Sequence, residues 1–139
     1  MEVVTTIVRG MDGFSDGPQD ENYFSVSQYA EYFQSIPLAI NVASFSAHNS
    51  IRLEVMGKDF RREASEEEIE QMSSLVDLDM RSGAYGLSTG LEYDPGIFAS
   101  TDEVIELAKV SGSYQGKYKS HIRSEDREYW EAIDETIEI

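Results

Sequence analysis

Four strand-length segments, each followed by a helical pattern, constrain this sequence more than any other feature. Val3 to Val8 is β-branched and apolar, and Leu38 to Phe45 is an apolar run. Ala84 to Leu91 and Lys117 to Ile122 follow the same design. Between them lie helix signatures. Ser25 with Gln28, Ser65 with Glu68 and Ser100 with Glu103 each form a capping-box pattern, in which a hydroxyl and a carboxyl or amide three residues on satisfy the first free N–H groups of a helix. Apolar residues then recur at helical spacing: Tyr29, Tyr32, Phe33 and Ile36 before Pro37; Ile69, Met72, Val76 and Met80 before Gly83; Val104, Leu107, Ala108 and Val110 before Gly112 and Gly116. Ser124 is expected to cap a last helix, with Trp130, Ile133 and Ile137 on one face. The order β-α-β-α-β-α-β-α calls for parallel strands joined by helical crossovers.

In such a fold the chemistry sits in the loops that follow the strands. Those loops hold Asp12, His48, the stretch Ser88 to Tyr93, and His121 to Glu125. At a strand end, neutral His121 can ligate a metal such as zinc, with Glu125 or a backbone carbonyl fixing its tautomer. Asp12, in a glycine-rich turn, offers a carboxylate ligand or base. His48 followed by Arg52 suits an anionic substrate group. Tyr93, in a loop bounded by Pro95 and Gly96, is placed to donate to a developing oxyanion. Ser88 and Arg123 are further candidate substrate contacts. Gly86-Leu87-Ser88-Thr89-Gly90 is not the Gly-x-Ser-x-Gly elbow of a serine hydrolase, and no histidine pairs with Ser88.

Composition narrows the partners. The net charge of −16 argues against nucleic acid and anionic membrane surfaces, both of which would be repelled. The absence of cysteine removes disulfides and thiolate metal sites. No basic-then-apolar leader opens the sequence and no apolar run reaches membrane-spanning length, so the default expectation is a cytoplasmic protein.

Read as words, the same residues go further. Phe60 to Glu68, then Ser82-Gly83-Ala84-Tyr85-Gly86-Leu87-Ser88-Thr89-Gly90-Leu91-Glu92-Tyr93-Asp94-Pro95-Gly96, then Ser120-His121-Ile122-Arg123-Ser124-Glu125, resemble the N-acyl-D-amino-acid deacylases (D-aminoacylases) of the metal-dependent amidohydrolase superfamily. Asn41-Val42-Ala43 leading to His48 and Arg52 is similar to a further stretch of that family, as are Thr5 to Val8 with Gly10 to Gly13.

The resemblance implies a (β/α)₈ barrel with zinc at the C-terminal ends of its strands, and it maps the four strands to barrel strands two to five. His121 then matches the metal-binding histidine after strand five. Tyr93 matches a tyrosine near the scissile carbonyl. Asp12 stands where many members carry a metal-ligating cysteine. The family's remaining metal-ligating histidines and its proton-transferring aspartate have no counterpart in these residues.

A whole barrel takes about 250 residues, so the 139 residues read as an internal piece, about four βα units, of a zinc-dependent hydrolase of N-acyl-D-amino acids. Alone, the piece is expected to be inactive and to self-associate through open sheet edges. The alternatives are a non-catalytic barrel remnant used for binding or assembly, and another amidohydrolase branch, dihydroorotase-like or dipeptide-cleaving.

Overall fold

A computed structural model of the chain describes residues 25–139. The expected first strand, Val3 to Val8, and Asp12 with its loop lie outside the described residues. The described part is an α/β unit of three parallel strands and five α-helices. In chain order these are α1 (Val26–Gln34), β1 (Ser46–Ala47), α2 (His48–Met56), α3 (Glu66–Arg81), β2 (Gly86–Gly90), α4 (Thr101–Ser113), β3 (Lys117–His121) and α5 (Tyr129–Glu138). Short 3₁₀ turns at Gly57–Asp59 and Gly96–Phe98 interrupt the connections.

The strands lie in sequential order, β1-β2-β3. Ser46 pairs with Leu87, and the five residues Gly86 to Gly90 pair one for one with Lys117 to His121. Parallel neighbours of this kind need a crossover, and α3 and α4 provide it. β2 is buried almost throughout because it has a strand on either side and helices over it. The main core is Ile51 from α2, Met72, Val76 and Met80 from α3, Leu107 from α4, and Ala84 and Leu87 at β2, with Val26 joining from α1. A second cluster, Leu91, Ala99 and Val104, sits toward the strand ends.

Local chemistry sets the helix boundaries. At α3, Ser65 Oγ accepts from the Glu68 N–H, and Glu68 Oε2 accepts from the Ser65 N–H at 2.8 Å. Hydrogen bonds from Arg62 hold the Glu68 carboxyl down to about 2. The helix closes at Gly83, whose φ of +95° is the left-handed conformation that glycine adopts without strain. The Ser25–Gln28 capping box at α1 forms in full as well. Asp79 on α3 then ties distant elements together: one oxygen accepts from the Val26 N–H at 2.9 Å and the other from the Ser46 hydroxyl at 2.8 Å.

Gly86 marks the tightest point of the sheet. A Cβ there would lie 1.8 Å from the Lys117 carbonyl oxygen, and the obstacle is backbone. Gly86→Ala is therefore expected to destabilise the protein by about 3 kcal/mol, the upper end of the ordinary overpacking range. A denaturant midpoint unchanged from wild type would contradict that packing.

Two boundaries differ from the sequence reading. No residue of the strand expected over Leu38 to Phe45 is in a strand: β1 is the two residues Ser46–Ala47 just after that run, and Ile40 is 66% exposed. Among the described residues β1 pairs on one side only, through Ser46 and Ala47, and the apolar run before it has no ladder. The last helix begins at Tyr129, four residues late, because Ser124 Oγ accepts from the N–H groups of Asp126 and Glu128 in a turn instead of capping the helix. Its buried residue is Ala132, whereas Trp130 and Ile137 are 73% and 77% exposed.

Candidate active site

The parallel sheet directs the C-terminal ends of all three strands to one side, and the polar residues of interest gather there. β3 ends on His121. β2 ends on Gly90, and the loop after it swings Tyr93 across to β3. Tyr93 Oη lies 3.1 Å from His121 Nε2, and the two rings meet edge to face at 4.7 Å between centroids. The loop is fixed at both ends: the Leu91 N–H donates to the His121 carbonyl at 2.9 Å, and the Ile97 N–H donates to the Tyr93 carbonyl at 3.0 Å.

Two carboxylates flank the His121 ring on opposite nitrogens. Glu92 Oε2 is 3.4 Å from Nδ1, and Glu125 Oε1 is 3.6 Å from Nε2. One ligand atom from each of Glu92, His121 and Glu125 can be chosen so that all three lie within 4.8 Å of one another. One imidazole nitrogen and two carboxylate oxygens, all reachable by solvent, form a donor set that suits zinc. The sequence reading named Glu125 beside His121; Glu92, next to Tyr93, had no spacing signal of its own.

Beside this cluster opens a pocket of about 490 Å³. Tyr93 and His121 line it with Ser88, Thr89 and Asn49, and Phe45, Leu53 and Tyr29 give it an apolar wall. Ser88 Oγ, nearly buried, donates a long 3.4 Å bond to the Ser46 carbonyl. Behind Ser88, Thr89 Oγ1 is bonded to Ser120 Oγ at 2.8 Å and to Tyr118 Oη at 3.0 Å, which stitches β2 to β3 below the site.

His48 and Arg52 face away from this pocket. Both side chains are fully buried and turn toward Glu103 on α4. His48 Nε2 lies 2.8 Å from one Glu103 oxygen, and Arg52 Nη1 donates to the other. Arg52 Nη2 also donates to the carbonyls of Phe60, Arg62 and Phe98, gathering two connecting segments around one guanidinium. Burial pushes the Glu103 carboxyl up, but the hydrogen bonds from His48 and Arg52 outweigh it and hold the group below the ordinary carboxylate value. The geometry thus gives the pair a buried anion from their own chain in place of the expected substrate group.

Glu103 escaped the sequence reading because Ser100-x-x-Glu103 looks like a capping box. Ser100 Oγ does accept from the Glu103 N–H at 3.2 Å, but the Glu103 side chain leaves the cap for the core. Arg123, too, is engaged within the chain, donating to both oxygens of Glu135 at 2.7 and 2.9 Å and to the Ile97 carbonyl.

No family model matches the chain, but individual proteins are similar to it in sequence and fold. D-aminoacylase of Alcaligenes xylosoxydans xylosoxydans is 33% identical over 152 aligned residues, which take in 98% of this chain. The chain is a homologue of the D-aminoacylases. It spans 31% of that relative's length. A solved D-aminoacylase structure, described as defining a novel subset of amidohydrolases, matches with a TM-score of 0.78 and 38% identity over 82% of this chain and 24% of the solved one. N-acyl-D-glutamate deacylase from Bordetella bronchiseptica, solved with zinc and a phosphonate mimic of the tetrahedral intermediate, matches at the same TM-score with 31% identity, again over 82% and 24% of the two chains. The chain therefore shares an α/β architecture with the D-aminoacylase amidohydrolases. No helix among its described residues is long and apolar enough to cross a membrane.

Proposed function

We propose that these residues form part of the catalytic (β/α)₈ barrel of a zinc-dependent amidohydrolase that cleaves N-acyl-D-amino acids into a carboxylate and a free D-amino acid. The observation that carries this reading is the meeting of Tyr93 with His121 at the C-terminal ends of adjacent parallel strands, above a pocket with an apolar wall. The homology supports the substrate class. Residues 1–139 would be one segment of that barrel, and the outer edges of β1 and β3, which are unpaired among the described residues, would be where further strands or a second copy attach.

In this proposal His121 is a metal ligand. Glu92 and Glu125 either join it as ligands or hold its ring, and Asp12 remains a candidate ligand from outside the described residues. What zinc supplies when bound is polarisation of the amide carbonyl and a water acidic enough to attack at neutral pH. The chain's own residues do the rest. Nε2 of His121 can serve the Tyr93 hydroxyl or a metal, but not both. Were Nε2 to hold the metal, the Tyr93 hydroxyl beside it would be left to donate to the carbonyl oxygen as negative charge develops there. Ser88 and the apolar pocket wall hold the substrate. His48 and Arg52, locked on Glu103, shape the site from beneath. Arg123, held by Glu135, fixes the segment after His121. The balanced reaction adds water across the C–N bond, one oxygen going to the carboxylate and the proton to the leaving amine.

The test uses the native protein with N-acyl-D-amino acids, zinc and a chiral readout of the free amino acid. Release of the D-enantiomer, abolished by chelation and restored by zinc, is the expected result. His121→Ala should weaken zinc binding, measured by calorimetry, by at least the roughly 100-fold seen when a mere outer-shell partner is lost. Wild-type zinc affinity in that variant would remove His121 from the ligand set, and absence of any amide hydrolysis by the zinc-loaded protein would overturn the reading.

A further inference from the structure

Asn49, the second residue of α2, connects the buried Glu103 cluster to the Tyr93 loop. Its Nδ2 donates to the Gly90 carbonyl at 3.1 Å, at the point where β2 ends and the loop begins. Its Oδ1 lies 3.1 Å from His48 Nδ1. Two glycines make room for it. A Cβ on Gly96 would fall 2.6 Å from Asn49 Oδ1 and 2.3 Å from the Gly90 carbonyl oxygen. A Cβ on Gly90 would fall 3.2 Å from Asn49 Nδ2. The base of the loop at Gly90 and Gly96 is thus closed around one amide.

The hydrogen-bond roles along this line are fixed by elimination. The amide must present its NH₂ to Gly90, because the opposite flip would set two carbonyl oxygens face to face. Oδ1 is then an acceptor toward His48, so His48 Nδ1 donates. On the other side His48 Nε2 faces the Glu103 carboxylate, which Arg52 also engages, so Nε2 donates as well. Each ring nitrogen thus faces an acceptor, half-buried Asn49 Oδ1 at 3.1 Å on one side and the buried Glu103 carboxylate at 2.8 Å on the other, and the ring cannot turn without losing one of them.

We propose that Asn49 is a positioning residue: held by a His48 whose two ring nitrogens both donate, its amide grips the Gly90 carbonyl and sets the loop that presents Tyr93 to His121. The catalytic meaning of this placement rests on the function proposed for Tyr93, while the placement itself can be read without any activity.

The experiment uses ¹⁵N-labelled native protein with two variants, Asn49→Asp and Asn49→Leu. In wild type, His48 should show two ring N–H resonances, and the His121 ring protons should carry the shift imposed by the Tyr93 ring edge. Asn49→Asp, isosteric, keeps the acceptor for His48 but loses the donor to Gly90. It should preserve both His48 resonances while moving the His121 signals toward those of a Tyr93→Leu control. Asn49→Leu should lose the His48 Nδ1–H signal and move the His121 signals in the same direction. If that variant does not fold, Asn49→Asp decides alone.

With substrate, both variants should lower kcat by about 10- to 100-fold with little change in KM, the signature of a misplaced reacting group. A single ring N–H at His48 in wild type, or unmoved His121 signals in Asn49→Asp, would overturn the proposal. A native protein without deacylase activity would overturn the proposed function and leave the spectroscopic answer standing.

Discussion

Glu103→Ala should destabilise the protein by about 3–5 kcal/mol, the cost of stranding buried charge when one partner of an ion pair is removed. The variant leaves His48 and Arg52 fully buried without the carboxylate that both face. Arg52 retains its three carbonyl acceptors, but these are dipoles that cannot replace an anion. Its Nε has no hydrogen-bond partner even in the intact structure, so the guanidinium has little in reserve. The measurement is a urea unfolding curve for wild type and variant, with the loss read from the midpoint at constant slope.

The same residue gives a pH dependence of definite sign. The folded Glu103 carboxyl lies below its ordinary value, so the unfolded chain binds more protons as the group titrates. Its contribution is complete above the ordinary carboxylate range and is lost as pH falls below it. In Glu103→Ala this part of the acid sensitivity should vanish. A midpoint within experimental error of wild type at neutral pH would show that the cluster contributes little.

Tyr93→Phe is expected to lower kcat by about 10²- to 10³-fold, the range for removing one oxyanion donor. The substitution deletes a single hydroxyl and keeps the ring, so the edge-to-face contact with His121 survives and the pocket retains its shape. If the hydroxyl donates only as charge develops on the carbonyl oxygen, KM should move little. Zinc affinity should not fall, because the lost 3.1 Å bond competes for His121 Nε2. A Tyr93→Phe enzyme with wild-type kcat would exclude the oxyanion role, whereas an equal loss of zinc would reassign the hydroxyl to the metal site.

The sequence was most legible where the determinants are local. Ser65 and Glu68 sit three residues apart and satisfy each other's backbone partners, so α3 could be placed from spacing alone. β2 and β3 showed in the same way, because each lies inside its expected segment, Gly86–Gly90 within Ala84 to Leu91 and Lys117–His121 within Lys117 to Ile122. The expectation for β1 went wrong because an apolar run shows only that a segment is apolar, while a ladder depends on a neighbouring strand. The α5 expectation failed on the competing use of Ser124, whose hydroxyl serves a turn.

In the site, Tyr93 and His121 were readable as loop residues at strand ends. Glu103 was not, because its partners His48 and Arg52 lie 55 and 51 residues away and its local context resembled a cap. Asn49 carried no signal beyond being a polar residue next to a histidine.

The exposed face of α5 has a spectroscopic corollary. Trp130 is the sole tryptophan of the chain, and 73% of it is already in water. Its emission should therefore be red-shifted in the native state and should change little when the protein unfolds. Fluorescence is a poor monitor for the Glu103 and Gly86 variants, and circular dichroism is the better choice. For the same reason the signal is a clean reporter of anything that covers α5, since a blue shift can then arise only from burial of a ring that the folded chain leaves in solvent.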